Sequence, residues 1–210
     1  MTTLLLVRHG ETVGNSRIRY FGRTDLELSP LGRRQMEAAR GWIDQHFGAA
    51  RIAPVMSSPM RRARESAAII SGDPAPIEIK QFVEVDFGRF EGLTAEEIAA
   101  RFPEDFARWN RDRLDPAFTY PGGENRAAFM ARVKEGIHAM LAAIAGRANP
   151  SGDDCALLVA HRGVIRIVTE ELAGATPVIE LGSLQALTRH GGGRWRATIL
   201  DATEYLRGLA

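Results

Sequence analysis

Apolar and polar positions fall into short blocks along this chain, and the blocks have two different periods. Leu4 to Val7 is an unbroken apolar run that stops at Arg8-His9-Gly10-Glu11-Thr12. A run this short, ended by charge and glycine, predicts a buried strand. Glu11 to Leu28 is polar and reads as loop. Ser29-Pro30 then opens a helix, with Ser as N-cap and Pro at the first helical position; Met36, Ala39, Ile43 and Phe47 line its apolar face. Val55-Met56-Ser57 predicts a second strand. A helix follows from near Pro59, with Met60, Ala63, Ala67 and Ile70 facing inward, and Ile77 to Val83 reads as another strand.

Thr94-Ala95-Glu96-Glu97 is a capping box that opens a helix to about Phe102. Leu114 to Asn125 holds prolines and a glycine pair and reads as loop. A long amphipathic helix then carries Phe129, Val133, Ile137, Met140, Leu141 and Ile144, and Asn149-Pro150-Ser151-Gly152 predicts a turn. Cys155 to Ala160 is a second apolar run, and it ends in His161-Arg162-Gly163. Val164 to Leu172 reads as a helix. Ser183 to Thr188 and Trp195 to Leu200 predict two last strands around Gly191-Gly192-Gly193.

Strands that alternate with helices predict an α/β fold: a three-layer sandwich, with a mostly parallel central sheet and helices on both faces. The 210 residues, 45% of them hydrophobic, suit one domain over 1–210, with about 84–125 as a cap-like insertion over the strand ends. A net charge of +1 supports no broad claim on nucleic acid. No apolar run approaches the ~18 residues of a membrane span, and no signal peptide is expected. The single cysteine excludes an internal disulfide and agrees with a cytoplasmic location. Of 27 basic residues only Lys80 and Lys134 are lysine, so any one arginine, taken alone, reads as a surface charge.

Chemistry concentrates where strands end. Arg8-His9 ends the first strand, Ser57-Ser58-Pro59-Met60-Arg61-Arg62 the second, and His161 a later one. Glu84 stands in a mostly apolar stretch, Glu84-Val85-Asp86-Phe87-Gly88. If these strands are parallel, their carboxyl ends share one edge, where α/β sheets bind ligands. The set suits phosphoryl transfer, whose transition state spreads negative charge over the equatorial oxygens. Arginine grips two oxygens at once, a histidine nucleophile splits the reaction in two, and a carboxyl group serves the leaving oxygen and then water. The five histidines are scattered, with no HExxH or paired-cysteine spacing, so no metal and no cofactor are expected.

In Leu6-Val7-Arg8-His9-Gly10-Glu11-Thr12 with Asn15, Ser57 to Ala63, Glu84 to Gly88 and Ala160 to Gly163, the chain resembles the histidine phosphatase superfamily, also called phosphoglycerate mutase-like. The resemblance runs from Leu4 to Arg166, with the motifs in the family's order. It implies His9 as the phosphorylated nucleophile and Arg8, Arg62 and His161 as the phosphate pocket. It implies Asn15 as a neutral donor, Gly22 as part of the binding loop, and Glu84 as general acid and base. Arg62 is chosen over Arg61 because the family's arginine lies four residues after the second serine of Ser57-Ser58.

Three departures stand out. Ala160-His161-Arg162-Gly163 replaces the family's frequent Ser-His-Gly-Gly. Phe21, not Thr, precedes Gly22. Gly88 to Gly92 with Pro121-Gly122-Gly123-Glu124 is similar to the phosphatase branch, which includes alpha-ribazole and broad-specificity phosphatases. The implied activity is metal-independent hydrolysis of a small phosphorylated metabolite. A cofactor-dependent phosphoglycerate mutase and a non-catalytic phosphate-binding module are the alternatives. No nucleic-acid or membrane partner is expected, and a homodimer is expected on analogy alone.

Overall fold

The computed structural model describes residues 1–48, 52–146 and 154–209; the turn expected at 149–152 lies outside them. In chain order the elements are β1 (Thr2–Arg8), α1 (Pro30–Phe47), β2 (Ile52–Ser57), α2 (Arg61–Ser71) and β3 (Ile77–Glu78). There follow α3 (Ala95–Arg101), α4 (Pro103–Asp112), α5 (Arg126–Ala145), β4 (Asp154–Ala160), α6 (Arg162–Ala173), β5 (Leu184–Arg189) and β6 (Arg196–Ala202).

The unbroken apolar runs become the strands covered on both faces. Side chains alternate across a strand. Leu4 and Leu6 of β1 therefore join Ala156 and Leu158 of β4 in one apolar cluster with α5 and α6. Leu5 and Val7 join Leu157 and Val159 in a second cluster with α1 and α2. These two clusters make the three layers. The strands form one sheet in the order β3-β2-β4-β1-β5-β6. β1, β2, β3 and β4 run parallel, β5 runs against β1, and β6 turns back against β5.

Register decides where the chemistry meets. Arg8 lies beside Ala160, and Ser57 beside Val159. The next residues continue the alignment: the His9 amide donates to the Ala160 carbonyl at 3.1 Å, and the Ser58 amide to Val159 at 3.0 Å. Three neighbouring strands thus deliver His9, Ser58 and His161 to one edge.

The helix starts read from sequence hold in detail. Ser29 Oγ accepts from the Gly32 amide at 3.0 Å with Pro30 at the first helical position. Thr94 and Glu97 close a reciprocal capping box. Two expectations do not hold. Ile77 to Val83 is a strand only over Ile77–Glu78, and Lys80–Phe82 is a 3₁₀ turn. Phe82 is fully buried and lies against α5 at Gly136, where an added Cβ would come within 2.5 Å of its ring. That inward turn ends the alternation an extended strand needs. Helix α4 was not expected at all. Phe102 ends α3, Pro103 sits at the first position of α4, and Trp109 is its buried residue. Phe90, Ile98, Trp109 and Phe118 form a separate small apolar cluster above the strand ends.

Candidate active site

A cleft of about 1010 Å³ opens over the carboxyl ends of β1, β2 and β4 and includes Arg8, His9, Arg62 and Glu84 in its lining. His9, Arg62 and His161 are buried at its floor. The two imidazoles meet edge-on with centroids 5.1 Å apart.

The hydrogen bonds of His9 fix its tautomer. Nδ1 lies 2.8 Å from the Gly10 carbonyl, which can only accept, so Nδ1 carries the hydrogen. Arg62 Nε donates to Nε2 at 3.2 Å, so Nε2 presents its lone pair. Burial, then the charges of Arg62 and Arg8, hold the His9 imidazolium well below its usual pKa, against the Gly10 carbonyl. The outcome is a neutral ring whose unprotonated Nε2 accepts from Arg62, beside two guanidinium groups.

His161 is neutral for the same reasons: burial first, then Arg62, His9 and Arg8. Its Nε2 pairs with Ser58 Oγ at 2.8 Å, and its Nδ1 is buried without a partner. Arg8 donates to the Ile179 carbonyl at 3.1 Å, while its Nε is also buried and unpartnered. Burial and Arg162 bring the Arg8 pKa down to about 10, which leaves it charged at neutral pH. Buried polar atoms left without a partner cost about 1–3 kcal/mol each. An oxygen-rich anion is the ligand that relieves them.

Arg62 has a second task. It donates to the carbonyls of Thr24 and Gly22 at 2.8 Å and of Phe21 at 3.3 Å. The amides of the same loop face Glu91. That carboxylate accepts from Gly22 at 3.0 Å, Arg23 at 3.0 Å, Thr24 at 3.2 Å and the Thr24 hydroxyl at 2.6 Å, and it also takes the Phe87 amide. Gly22 is needed for this approach, since a Cβ there would fall 1.8 Å from the Val85 carbonyl. Gly22 therefore supports Arg62 from behind and is not part of the cleft lining.

Glu84 is buried, and its two oxygens accept from the Val85 amide at 2.9 Å and the Gly163 amide at 3.0 Å. Gly163 lies in the first turn of α6, so this contact ties Glu84 to the start of that helix. A Cβ on Gly163 would come within 2.5 Å of Glu84 Oε1. Arg132 holds the backbone below Glu84 by donating to the carbonyls of Gln81, Val83 and Glu84. It is itself fixed by Glu124 through a two-point pair at 2.7 and 2.8 Å. Burial opposes the Glu124 carboxylate, but the hydrogen bond and charge of Arg132 hold its pKa below the usual range.

Of the residues expected from sequence, the structure brings Arg8, His9, Arg62, Glu84 and His161 together. Asn15 is not brought in. It occupies an exposed corner with φ 65°, a conformation Asn tolerates, and its carbonyl accepts from the Ile18 and Arg19 amides. Among the hydroxyl residues that do line the cleft, Thr12 has its Oγ1 buried and unpartnered. Glu91 and Arg132 were not singled out as supports. For Glu91 the available signal was a lone carboxylate in the Gly88–Gly92 motif; for Arg132 there was none among so many arginines. Among the described residues no group of three or more His, Cys, Asp or Glu could hold a metal ion, and no helix is long and apolar enough to cross a membrane.

A histidine, two arginines and a second histidine thus meet at the strand ends of a layered α/β fold. The sequence model of the histidine phosphatase superfamily (branch 1) matches residues 4–200, and the chain belongs to that family. A bifunctional protein of Mycobacterium tuberculosis is 31% identical over 214 residues, covering 98% of this chain and 55% of its own length. The chain thus spans about half the length of that curated relative. A glucosyl-3-phosphoglycerate phosphatase of M. tuberculosis is 30% identical over 198 residues, covering 91% of this chain and 82% of its own. The crystal structure of the alpha-ribazole phosphatase from Shigella flexneri superposes with a TM-score of 0.78 at 22% identity, covering 95% of this chain and 96% of its own.

Proposed function

We propose that this chain hydrolyses small phosphomonoesters through a phosphohistidine at His9, without a metal. The observation that carries the reading is the state of His9: neutral, with Nε2 unprotonated and set beside Arg62. In the first step Nε2 bonds to phosphorus, the ester P–O bond breaks, and Glu84 in its acid form gives its proton to the leaving oxygen. In the second step Glu84 takes a proton from water. The water oxygen bonds to phosphorus, the P–N bond breaks, and His9 returns to its starting form. Arg8 and Arg62 supply the positive charge that the equatorial oxygens need. Relatives named as phosphatases, among them a phosphoserine phosphatase of Hydrogenobacter thermophilus, support the reaction class.

The test is phosphate release from a panel of monoesters with EDTA present. One well holds 3-phosphoglycerate with 2,3-bisphosphoglycerate. Release from several monoesters is the expected result. Isomerisation in that well, with no release elsewhere, would overturn hydrolysis in favour of the mutase reaction.

A further inference from the structure

Two helices begin side by side at the cleft, each with a cation at its first position. Arg126 opens α5 and Arg162 opens α6. The helix ends adjoin, since a Cβ on Gly163 would meet the Phe129 ring at 3.0 Å. A helix start carries partial positive charge, so a basic residue there is disfavoured by about 0.3–1 kcal/mol. Neither helix has an acidic residue in its first turn to offset it. Arginines elsewhere on the molecule, such as Arg19, Arg33, Arg61 and Arg64, sit on carboxylates. Among the described residues Arg126 and Arg162 make no side-chain ion pair, and Arg126 Nε is buried without a partner. Glu84 stands at the same helix end, but its oxygens are taken up by amides. The whole cleft is lined by eight arginines against three glutamates. Arg8 and Arg162 line the same cleft, and after burial the charge of Arg162 does most to lower the Arg8 pKa.

We propose that Arg126 and Arg162 form a second anion subsite, and that the preferred substrates are phosphomonoesters whose alcohol carries a further carboxylate or phosphate. This rests on the phosphatase reading above. Arg126 and Arg162 line the same cleft as Glu84, and Gly163, next to Arg162, lies against the Glu84 carboxylate. An anion bound there is held by charge-assisted hydrogen bonds and relieves both helix ends.

The experiment compares kcat/KM within matched pairs. One pair is 3-phosphoglycerate and glycerol 3-phosphate; the other is 1,3-propanediol bisphosphate and 3-hydroxypropyl phosphate. 4-Nitrophenyl phosphate reports the reaction itself. The wild-type chain is expected to prefer the anionic member of at least one pair by roughly tenfold or more, the loss of a charged hydrogen bond being of that size. Which pair responds tells carboxylate from phosphate. In Arg126→Gln/Arg162→Gln that preference collapses while Tm does not fall, because a disfavoured cation has left each helix start. Arg162→Gln alone, at an exposed position, gives the same reading should the double variant not fold. No preference in the wild type, or a preference the variants keep, overturns the subsite. Silence on every substrate, 4-nitrophenyl phosphate included, overturns the phosphatase reading and the subsite with it.

Discussion

The floor of the cleft and the segment that covers it handle charge in opposite ways. On the floor, Arg8, Arg62, His9 and His161 are crowded together, with buried nitrogens of Arg8 and His161 left unmatched. In the cover, three carboxylates are firmly held. Glu91 takes every amide of the Gly22–Thr24 loop, Glu97 is bound by Arg19 and the Thr94 amide, and Glu124 is bound by Arg132 and the Asp86 amide. Positive charge is left unbalanced where the proposed reaction holds an anion and is balanced where geometry is held. The floor is poised, and the cover is fixed.

The sharpest way to break this contrast is at the floor. His9→Ala is expected to lower kcat on an aryl phosphate by roughly 10⁴-fold or more, since His9 Nε2 is the atom that bonds to phosphorus in the proposed reaction. Undiminished turnover would put the chemistry elsewhere. Glu84→Gln should cost about 10²–10⁴-fold, the usual worth of a general acid. The loss should be greater for alkyl phosphates than for 4-nitrophenyl phosphate, whose leaving group needs little help. An equal loss on both would remove Glu84 from proton transfer.

The cover should respond differently, because its carboxylates act through other groups. Glu91→Ala frees the 22–24 loop, whose carbonyls hold Arg62. A loss of about 10–100-fold in kcat/KM is expected, with a lowered Tm, matching one or two hydrogen-bonded contacts. A Tm change with kinetics intact would show that Arg62 holds its place without the loop.

The smallest effect expected is on pH. The fold holds His9 and His161 neutral, with pKa values below the 6.5 of an unfolded histidine. Below about pH 6.5 the unfolded chain therefore binds more protons than the folded one. Stability is complete above that pH and declines as the pH falls. Tm is expected to drop between about pH 7 and pH 5, and to drop less steeply in His161→Gln.

The floor was readable from residue order because its chemistry is local. Arg8-His9 and His161 end unbroken apolar runs, and parallel register brings run ends together. Arg62 and Glu84 were readable through the family resemblance. The same resemblance implies Asn15, which the fold places at an exposed turn corner instead, because nothing local distinguishes such a corner from a ligand. Helix α4 was missed since Pro103 reads as a stop after Phe102 and only Trp109 is buried along it. Glu91 and Arg132 act over 69 and 51 residues of chain respectively, through backbone groups that carry no residue type. Such partners become visible only when the fold has placed them.

The central claim is that phosphate passes through His9. The measurement that tests it most directly is the intact mass of the protein quenched in base during turnover, where phosphohistidine survives, followed by peptide mapping. The account predicts a single phosphoryl adduct on the peptide containing His9, absent from His9→Ala. Steady turnover with no adduct, or an adduct mapped to another residue, would contradict it.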